Sequence, residues 1–445
     1  MVKRRNREFK IMKNINHLYK LHGLIALVLQ QTTRRQIQSL AETACSVQKK
    51  AMLYVHWSYC AKMCSYCNFN KYIRNHVDNT RMTNCMVKEV ETLIKFSGIT
   101  EIKSVYFGGG TPSLAESGMI ASVIQTVQSS VTLPENAEIT LEANPTTTER
   151  DKLKEFKDAG VNRLSIGVQS LYNEDLEFLG RQHSVEDAIR CISDAKDLYP
   201  GDVSIDIIFG RPNQTVEKWN KELQQLLSLC DEHVSLYQLT VERGTPLFKW
   251  VQNKTVILPD DEVMADLYET AVEVLESRGF DQYEVSNFAK NGKVGRHNKA
   301  YWEGEEYIGV GPGAHGRFTP YSQGKHLREA RVQILEPNRW MTEVENQGHG
   351  TKLAKPQSQL EQLEELLVMG LRTKDGINHE TWKKRYSSES MTDLFYNQNI
   401  IRQYINSGLL YFDKSGMRAS KKGLAVLNPI VQDLLNLLND QWSGG

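Results

Sequence analysis

From Met52 to about Thr240 the chain alternates short β-rich runs with helical stretches, and this rhythm restricts its fold more than any other feature. The β-rich runs are Leu53–His56, Ser104–Phe107, Glu138–Glu142, Arg163–Val168, Val203–Ile208 and Val234–Leu239. Helix-like segments separate them at Val77–Phe96, Ser117–Gln128, Glu149–Ala159, Val185–Leu198 and Val216–Leu229. Strands spaced by a helix pair in parallel, because a parallel neighbour is reached only through a crossover. Six such units predict an α/β fold, a partial parallel (β/α)6 barrel over residues 51–240. Reactive groups in a barrel of this kind sit at the carboxyl ends of the strands.

The rhythm stops after that point. Residues 241–350 form a Gly- and aromatic-rich region, and residues 351–445 read as a mainly helical C-terminal domain. Gln357–Arg372 and Ser390–Ser407 have helical periodicity. Gly408–Phe412 and Met417–Ala419 resemble a small β wing before a last helix at Leu424–Leu438, a winged-helix-like arrangement.

Residues 1–50 carry 11 Lys and Arg against two acids, Glu8 and Glu42, whereas the whole chain balances 54 basic with 54 acidic residues. A neutral chain points to neither nucleic acid nor an anionic membrane. The basic, acid-poor leader, with Arg4, Arg5, Arg7, Arg34 and Arg35 among Leu and Ile, reads as a mitochondrial transit segment. A nucleic-acid-binding basic arm is the competing reading. The longest apolar run there, Leu24–Leu29, is far short of the ~20 residues a membrane span needs, so no transmembrane segment is expected.

Seven cysteines in so long a chain do not make a disulfide framework. Cys45, Cys85, Cys191 and Cys230 are dispersed and read as small buried hydrophobes. Cys60, Cys64 and Cys67 instead form a C-x3-C-x2-C run just after the first strand. Three thiolates at such spacing wrap one [4Fe–4S] cubane and leave its fourth iron open. Zinc is the alternative, but structural zinc sites close with four ligands in paired spacing, and no second cysteine pair follows.

Gly108-Gly109-Gly110-Thr111-Pro112-Ser113 ends the second strand, where glycines admit close backbone approach and N–H groups can meet a carboxylate. Glu142 ends the third strand. Gln169, Arg181 and Asp206 follow at the next strand ends, Arg181 suited to bidentate pairing with a carboxylate. Asp206 lies within an apolar strand and needs a partner there, either a ligand or Arg163.

Tyr54-x-His56 ahead of the cysteine triad, with Tyr66 before its third member, resembles the signature of the radical S-adenosylmethionine superfamily. The resemblance implies a cluster on Cys60, Cys64 and Cys67 that gives one electron to S-adenosylmethionine (SAM) and cleaves its S–C5′ bond. It implies that Tyr54, Tyr66, Gly109, Gly110, Thr111, Glu142, Gln169, Arg181 and Asp206 contact SAM. Glu142 matches the ribose carboxylate and the glycine turn matches the site for the methionyl amino group.

Gly167-Val-Gln-Ser170, Gly180-Arg-Gln-His183, Leu236-Tyr-Gln-Leu-Thr240, Gln282-Tyr-Glu-Val-Ser-Asn287 and Gly309-Val-Gly-Pro-Gly-Ala-His315 narrow the likeness. Together they resemble the family of oxygen-independent coproporphyrinogen dehydrogenases and heme chaperones. The enzyme branch carries a fourth cysteine where this chain has Phe69, and the chaperone branch carries Phe. Arg296-His297-Asn298-Lys299-Ala300-Tyr301-Trp302 matches a chaperone stretch and makes His297 a candidate heme ligand, with His315 and His183 next in line. The alternative is a His capping a loop with two core aromatics. Gly210-Arg211-Pro212 departs from the family's Gly-Leu-Pro, leaving Arg211 to reach a propionate or to lie in solvent.

The expected function is a heme chaperone carrying a SAM-binding cluster, served by an electron donor and delivering heme to an acceptor protein. Coproporphyrinogen III dehydrogenase activity is the runner-up, and a cluster-free scaffold a distant third.

Overall fold

A computed structural model describes residues 48–443 except 75 and 322–326, so nearly all of the basic leader lies outside the described residues. Strands β1 (Lys50–Trp57), β2 (Glu101–Gly109), β3 (Glu138–Ala143), β4 (Arg163–Gln169), β5 (Val203–Phe209) and β6 (His233–Gln238) form where the sequence pattern puts them. They pair in parallel and in chain order. The crossovers include α1 (Asn79–Ser97), α2 (Ser117–Ser130), α3 (Asn173–Leu179), α4 (Val185–Leu198) and α5 (Val216–Leu229). Side-chain caps start several of them: Asp78 accepts from Arg81 N–H, Thr215 from Lys218 N–H, and Ser184 with Asp187 makes a capping box. The helix expected at Glu149–Ala159 is instead two short pieces, Thr147–Arg150 and Leu153–Asp158.

The Gly- and aromatic-rich region extends the same sheet on both flanks. It supplies α6 (Asp261–Ser277), β7 (Asp281–Glu284), β8 (Asn287–Ala289), α7 (Arg296–Trp302), β9 (Tyr307–Val310), β10 (His315–Phe318) and β11 (Glu329–Gln333), and β12 (Thr351–Pro356), from the first residues of the expected C-terminal domain, joins the same sheet beside β11. The strand order is β12-β11-β10-β9-β1-β2-β3-β4-β5-β6-β8-β7. Because β9 runs parallel to β1, the parallel stretch has one strand more than the six expected.

Helix α8 (Gln359–Gly370), β13 (Ile377–Asn378), α9 (Asn399–Asn406), β14 (Leu410–Asp413), β15 (Gly416–Ala419) and α10 (Leu427–Ser443) build the C-terminal part. Its three-stranded antiparallel wing and helices enclose a second core around Leu363, Leu367, Trp382, Phe395 and Leu434. The segment expected to be one helix at Ser390–Ser407 is a π-helical turn, Thr392–Tyr396, followed by α9. The last helix is interrupted at Val426, whose φ of −119° and ψ of 35° leave the helical region. Pro429 explains the break, since it has no N–H for the carbonyl of Ala425 and its ring crowds that turn.

What positions the site is the alternation along β1–β6. Leu53, Val55, Val105, Phe107, Leu141, Leu164, Ile166, Ile205, Ile207, Val234 and Leu236 are buried on one face, packed in the main core. The alternate residues are polar: Tyr54 and Tyr106 pair across β1 and β2, Glu142 and Ser165 across β3 and β4, and Asp206 and Ser235 across β5 and β6. The period of two along a strand gives the barrel an apolar outside under its helices and a polar inside.

Candidate functional site

The loop after β1 is fastened before it reaches its cysteines. Tyr59–Cys60 pairs with Tyr72–Ile73, Tyr72 N–H donates to Ser58 O at 2.7 Å, and Ser65 N–H donates to Leu179 O at 3.0 Å. Lys71 Nζ reaches back to the carbonyl of Cys67 at 2.5 Å. These ties hold Cys60, Cys64 and Cys67 on one side of a cavity of about 400 Å³. The same cavity is lined by Tyr66, Gly109, Gly110, Thr111, Glu142, Gln169, Arg181 and Asp206, so eight of the nine SAM candidates come together from six separate stretches of chain.

Tyr54 is the exception. Its ring stacks on Tyr106 beneath the cavity and its hydroxyl meets His56 Nδ1 at 3.1 Å, so it takes no part in the cavity wall. The expected ligand contact at Tyr54 is corrected to a supporting one.

The backbone N–H groups of the glycine turn are already engaged within the protein. Gly109 N–H donates to Glu142 Oε2 at 3.1 Å, Gly110 N–H to Trp57 O at 2.6 Å and Thr111 N–H to Tyr59 O at 2.9 Å. These donors serve the protein and are not open to a carboxylate. Glycine is nonetheless required: Gly109 has φ +111°, and a Cβ there would lie 2.5 Å from the His56 ring.

Glu142 also accepts from Tyr106 Oη at 2.9 Å. Burial pushes its carboxyl up to about 7, with Asp206 adding to the shift and the two hydrogen bonds opposing it. Asp206 accepts from Ser165 Oγ at 3.0 Å through both oxygens, and burial raises it to about 6. The partner weighed for it, Arg163, instead lies 3.8 Å from Asp202. Arg181 donates to Gly167 O at 2.8 Å, to Asn144 Oδ1, and to Cys64 Sγ at 3.4 Å, while its Nε has no partner. Gln169 sits at a register shift between β4 and β5 with φ +70°, a strained conformation for a residue with a side chain.

Two further expectations are corrected. Arg211 reaches neither a propionate nor solvent: it is fully buried against Glu222, Asp175 and Ser170. His297 is fully buried in α7, with Nδ1 2.8 Å from Ser104 Oγ and Nε2 2.9 Å from Tyr301 Oη. An imidazole with both nitrogens engaged presents no lone pair to iron, and His297 does not line the cavity. His183 does line it, but its Nε2 meets Val168 O at 3.1 Å and its Nδ1 is buried. Of the three histidines considered for heme, His315 is the exposed one.

Sequence reasoning missed Tyr106, Asn144, Ser165 and Tyr237, all of which line the cavity. The signal is the polar member at every second position of the strands, which also marks the strands themselves.

The residues present fit a cluster and its nucleotide. Cys60, Cys64 and Cys67 are unpaired thiols facing one cavity. Burial pushes Cys60 up to about 11, with Cys67 and Cys64 adding to the shift, so three thiolates side by side need the positive charge that iron brings. No three His, Cys, Asp or Glu side chains among the described residues close on a single metal ion.

The Radical SAM superfamily profile matches residues 54–226 and the HemN C-terminal domain profile residues 357–426. The chain is 50% identical over 394 residues to the mitochondrial radical S-adenosyl methionine domain-containing protein 1 of Bos taurus, covering 88% of this chain and 89% of that protein. It is 31% identical to heme chaperone HemW of Bacillus subtilis, covering 85% of this chain and 97% of that protein. Among solved structures, coproporphyrinogen III oxidase (HemN) of Escherichia coli, described as a radical SAM enzyme, superposes with a TM-score of 0.71 at 18% identity, over 90% of this chain and 93% of that one. The chain belongs to the radical SAM superfamily, in the family that holds radical S-adenosyl methionine domain-containing protein 1 and the HemW heme chaperones.

Proposed function

We propose that this protein is a mitochondrial heme chaperone whose Cys60, Cys64 and Cys67 carry a [4Fe–4S] cluster and whose cavity binds SAM. The observation that carries the reading is the convergence of three free thiols, Glu142, Arg181, Gln169 and Asp206 on one cavity. When bound, the cluster supplies a single electron and an open iron to the methionyl end of SAM. Arg181, already beside Cys64, is placed to bind the methionyl carboxylate. Glu142 and Asp206 accept hydrogen bonds from the nucleoside, and Gln169 is held toward it by the strained turn after β4.

For heme the reading draws on the relatives named HemW and on two local features. Phe69, 64% exposed, lies at the cavity mouth where the enzyme branch has its fourth cysteine. His315 follows the β9 turn, and Asn70 ties that turn to the cysteine loop by donating to Pro312 O at 2.9 Å. Burial and Arg317 lower the His315 imidazole below its usual value, which keeps its lone pair free at neutral pH. His315 does not line the cavity either; it replaces His297 as the proposed iron ligand because it is exposed beside the turn that Asn70 ties to the cysteine loop.

The test is anaerobic reconstitution followed by heme titration and a coproporphyrinogen III assay with SAM and reductant. Stoichiometric heme binding, weakened by His315→Ala, with no protoporphyrinogen formed, is expected. Formation of protoporphyrinogen would replace the chaperone reading with the dehydrogenase. Heme affinity indifferent to His315 would leave the chaperone and remove this ligand.

A further inference from the structure

Glu142 takes its orientation from Tyr106, and Tyr106 rests on the helix that carries His297. The Tyr106 hydroxyl donates to Glu142 Oε1, and its ring stacks on Tyr54 and on His297 at centroid distances of 6.2 and 5.0 Å. His297 is itself pinned from several directions. Its N–H donates to Glu138 Oε1 at 2.9 Å, Ser104 and Tyr301 hold its two ring nitrogens, and Tyr301 packs edge-on against Tyr307 at 4.5 Å. Glu138 also accepts Arg296 N–H at 2.9 Å, so the first turn of α7 is anchored to the start of β3. A continuous column of buried contacts therefore runs from the amino-terminal end of the barrel up to the cavity wall.

We propose that Tyr106 and His297 are positioning residues for nucleotide binding: α7 fixes the Tyr106 ring, and the Tyr106 hydroxyl presents Glu142 to the ligand. This rests on the reading of Glu142 as a SAM contact and extends it to Tyr106 on the cavity wall and His297 behind it. A buried carboxylate with two donors keeps one orientation, and loss of either donor frees it to turn away or to take up a proton. The groups facing Glu142 are Tyr54 from β1, Tyr106 and Gly109 from β2, Asp206 from β5, Tyr237 from β6 and Tyr301 from α7. Asp206 disfavours the ionised form, and the Tyr106 and Gly109 donors favour it.

The experiment titrates SAM into the reconstituted full-length protein across the neutral pH range, for wild type and for Glu142→Gln, Tyr106→Phe, His297→Gln and His297→Ala. Tyr106→Phe removes one oxygen atom and keeps the ring, so folding and iron content persist. It should weaken SAM binding roughly tenfold, the loss of one hydrogen bond to a charged group. It should also move the acidic fall in affinity to higher pH. His297→Ala should weaken SAM binding as well, and His297→Gln, which keeps hydrogen-bonding capacity toward Ser104 and Tyr301, should recover most of the loss. A Tyr106→Phe protein with wild-type affinity and pH profile overturns the proposal. So does a His297→Ala protein that loses heme while holding SAM normally. If Glu142→Gln binds SAM normally, the nucleotide reading of Glu142 falls and the positioning role with it. If Glu142→Gln is weak and Tyr106→Phe is not, the positioning role alone falls.

Discussion

Glu142 is a carboxyl that bulk water would ionise and the barrel interior resists. Burial holds it near 7 in the folded chain against an ordinary value of 4.5, so the native state keeps a proton that the unfolded chain releases in between. Its contribution to stability therefore falls as pH rises through that window, and the cost is complete above the folded value. Glu142→Gln should raise the melting temperature at about pH 8 and leave it nearly unchanged at about pH 5, a gain of about 1–2 kcal/mol once cavity water is allowed for. Equal shifts at both pH values would mean that Glu142 is fully hydrated. The cysteines make a second residue-level case: Cys60→Ala, Cys64→Ala and Cys67→Ala should each abolish iron–sulfur absorbance, and Cys191→Ala, buried in the core between helix and sheet, should not. Loss in all four would indicate general unfolding. The sequence made the triad and most strand-end polar residues legible, because spacing along one loop and the ends of strands are local properties. It did not reveal height inside the barrel. Tyr54 and Tyr106 share a face and a register, yet only Tyr106 lines the cavity. His297 sits in a motif whose depth depends on packing against Ser104 and Tyr106, 191 to 193 residues away in sequence.

Strands and long helices were the most legible elements, and α4 and α5 begin and end where periodicity and their caps put them. Among the expected helices, the failures are all interruptions. The break before α10 follows from Pro429, a visible breaker within the expected helix. The turn at Thr392–Tyr396 and the two short helices before β4 carry no such mark. Arg211 shows how a sequence departure is resolved at the level of elements. Its guanidinium joins the loop after β5 to Glu222 on α5 and to Asp175 on α3, and Glu222 in turn accepts the N–H of Leu171 at 2.7 Å, just beyond Gln169. Arg211→Leu, which restores the family's Gly-Leu-Pro, should therefore destabilise the chain by about 3–5 kcal/mol, because Glu222 is left buried without its cation. Adding Glu222→Leu should recover much of that loss in a denaturant melt. A single variant as stable as wild type would show that water reaches Glu222.

At the scale of the whole molecule, the described residues contain no helix long and apolar enough to cross a membrane. The basic leader makes import the expected route to an organelle. Residues 1–50 fused to a reporter should carry it into mitochondria, and changing their Arg residues to Glu should leave it in the cytosol. A cytosolic reporter with the native segment would remove the proposed location. The architecture as a class was legible from the six alternating units. The flanking strands β7–β12 were not, because a Gly- and aromatic-rich region has no rhythm of its own and takes its order from the sheet it joins.

Helix α7 packs at the amino-terminal end of β2 and β3, away from the cysteine loop. The first turn of α7 is anchored to the start of β3, whereas the cavity is lined by residues at the carboxyl ends of the strands and the loops that follow them. On the proposed function, iron would be installed before the nucleotide covers it and shielded while the nucleotide stays bound. A chelator added to the reconstituted protein should strip iron more slowly as SAM is raised, with protection saturating at the SAM dissociation constant. On that reading the nucleotide would be a stopper as well as a ligand.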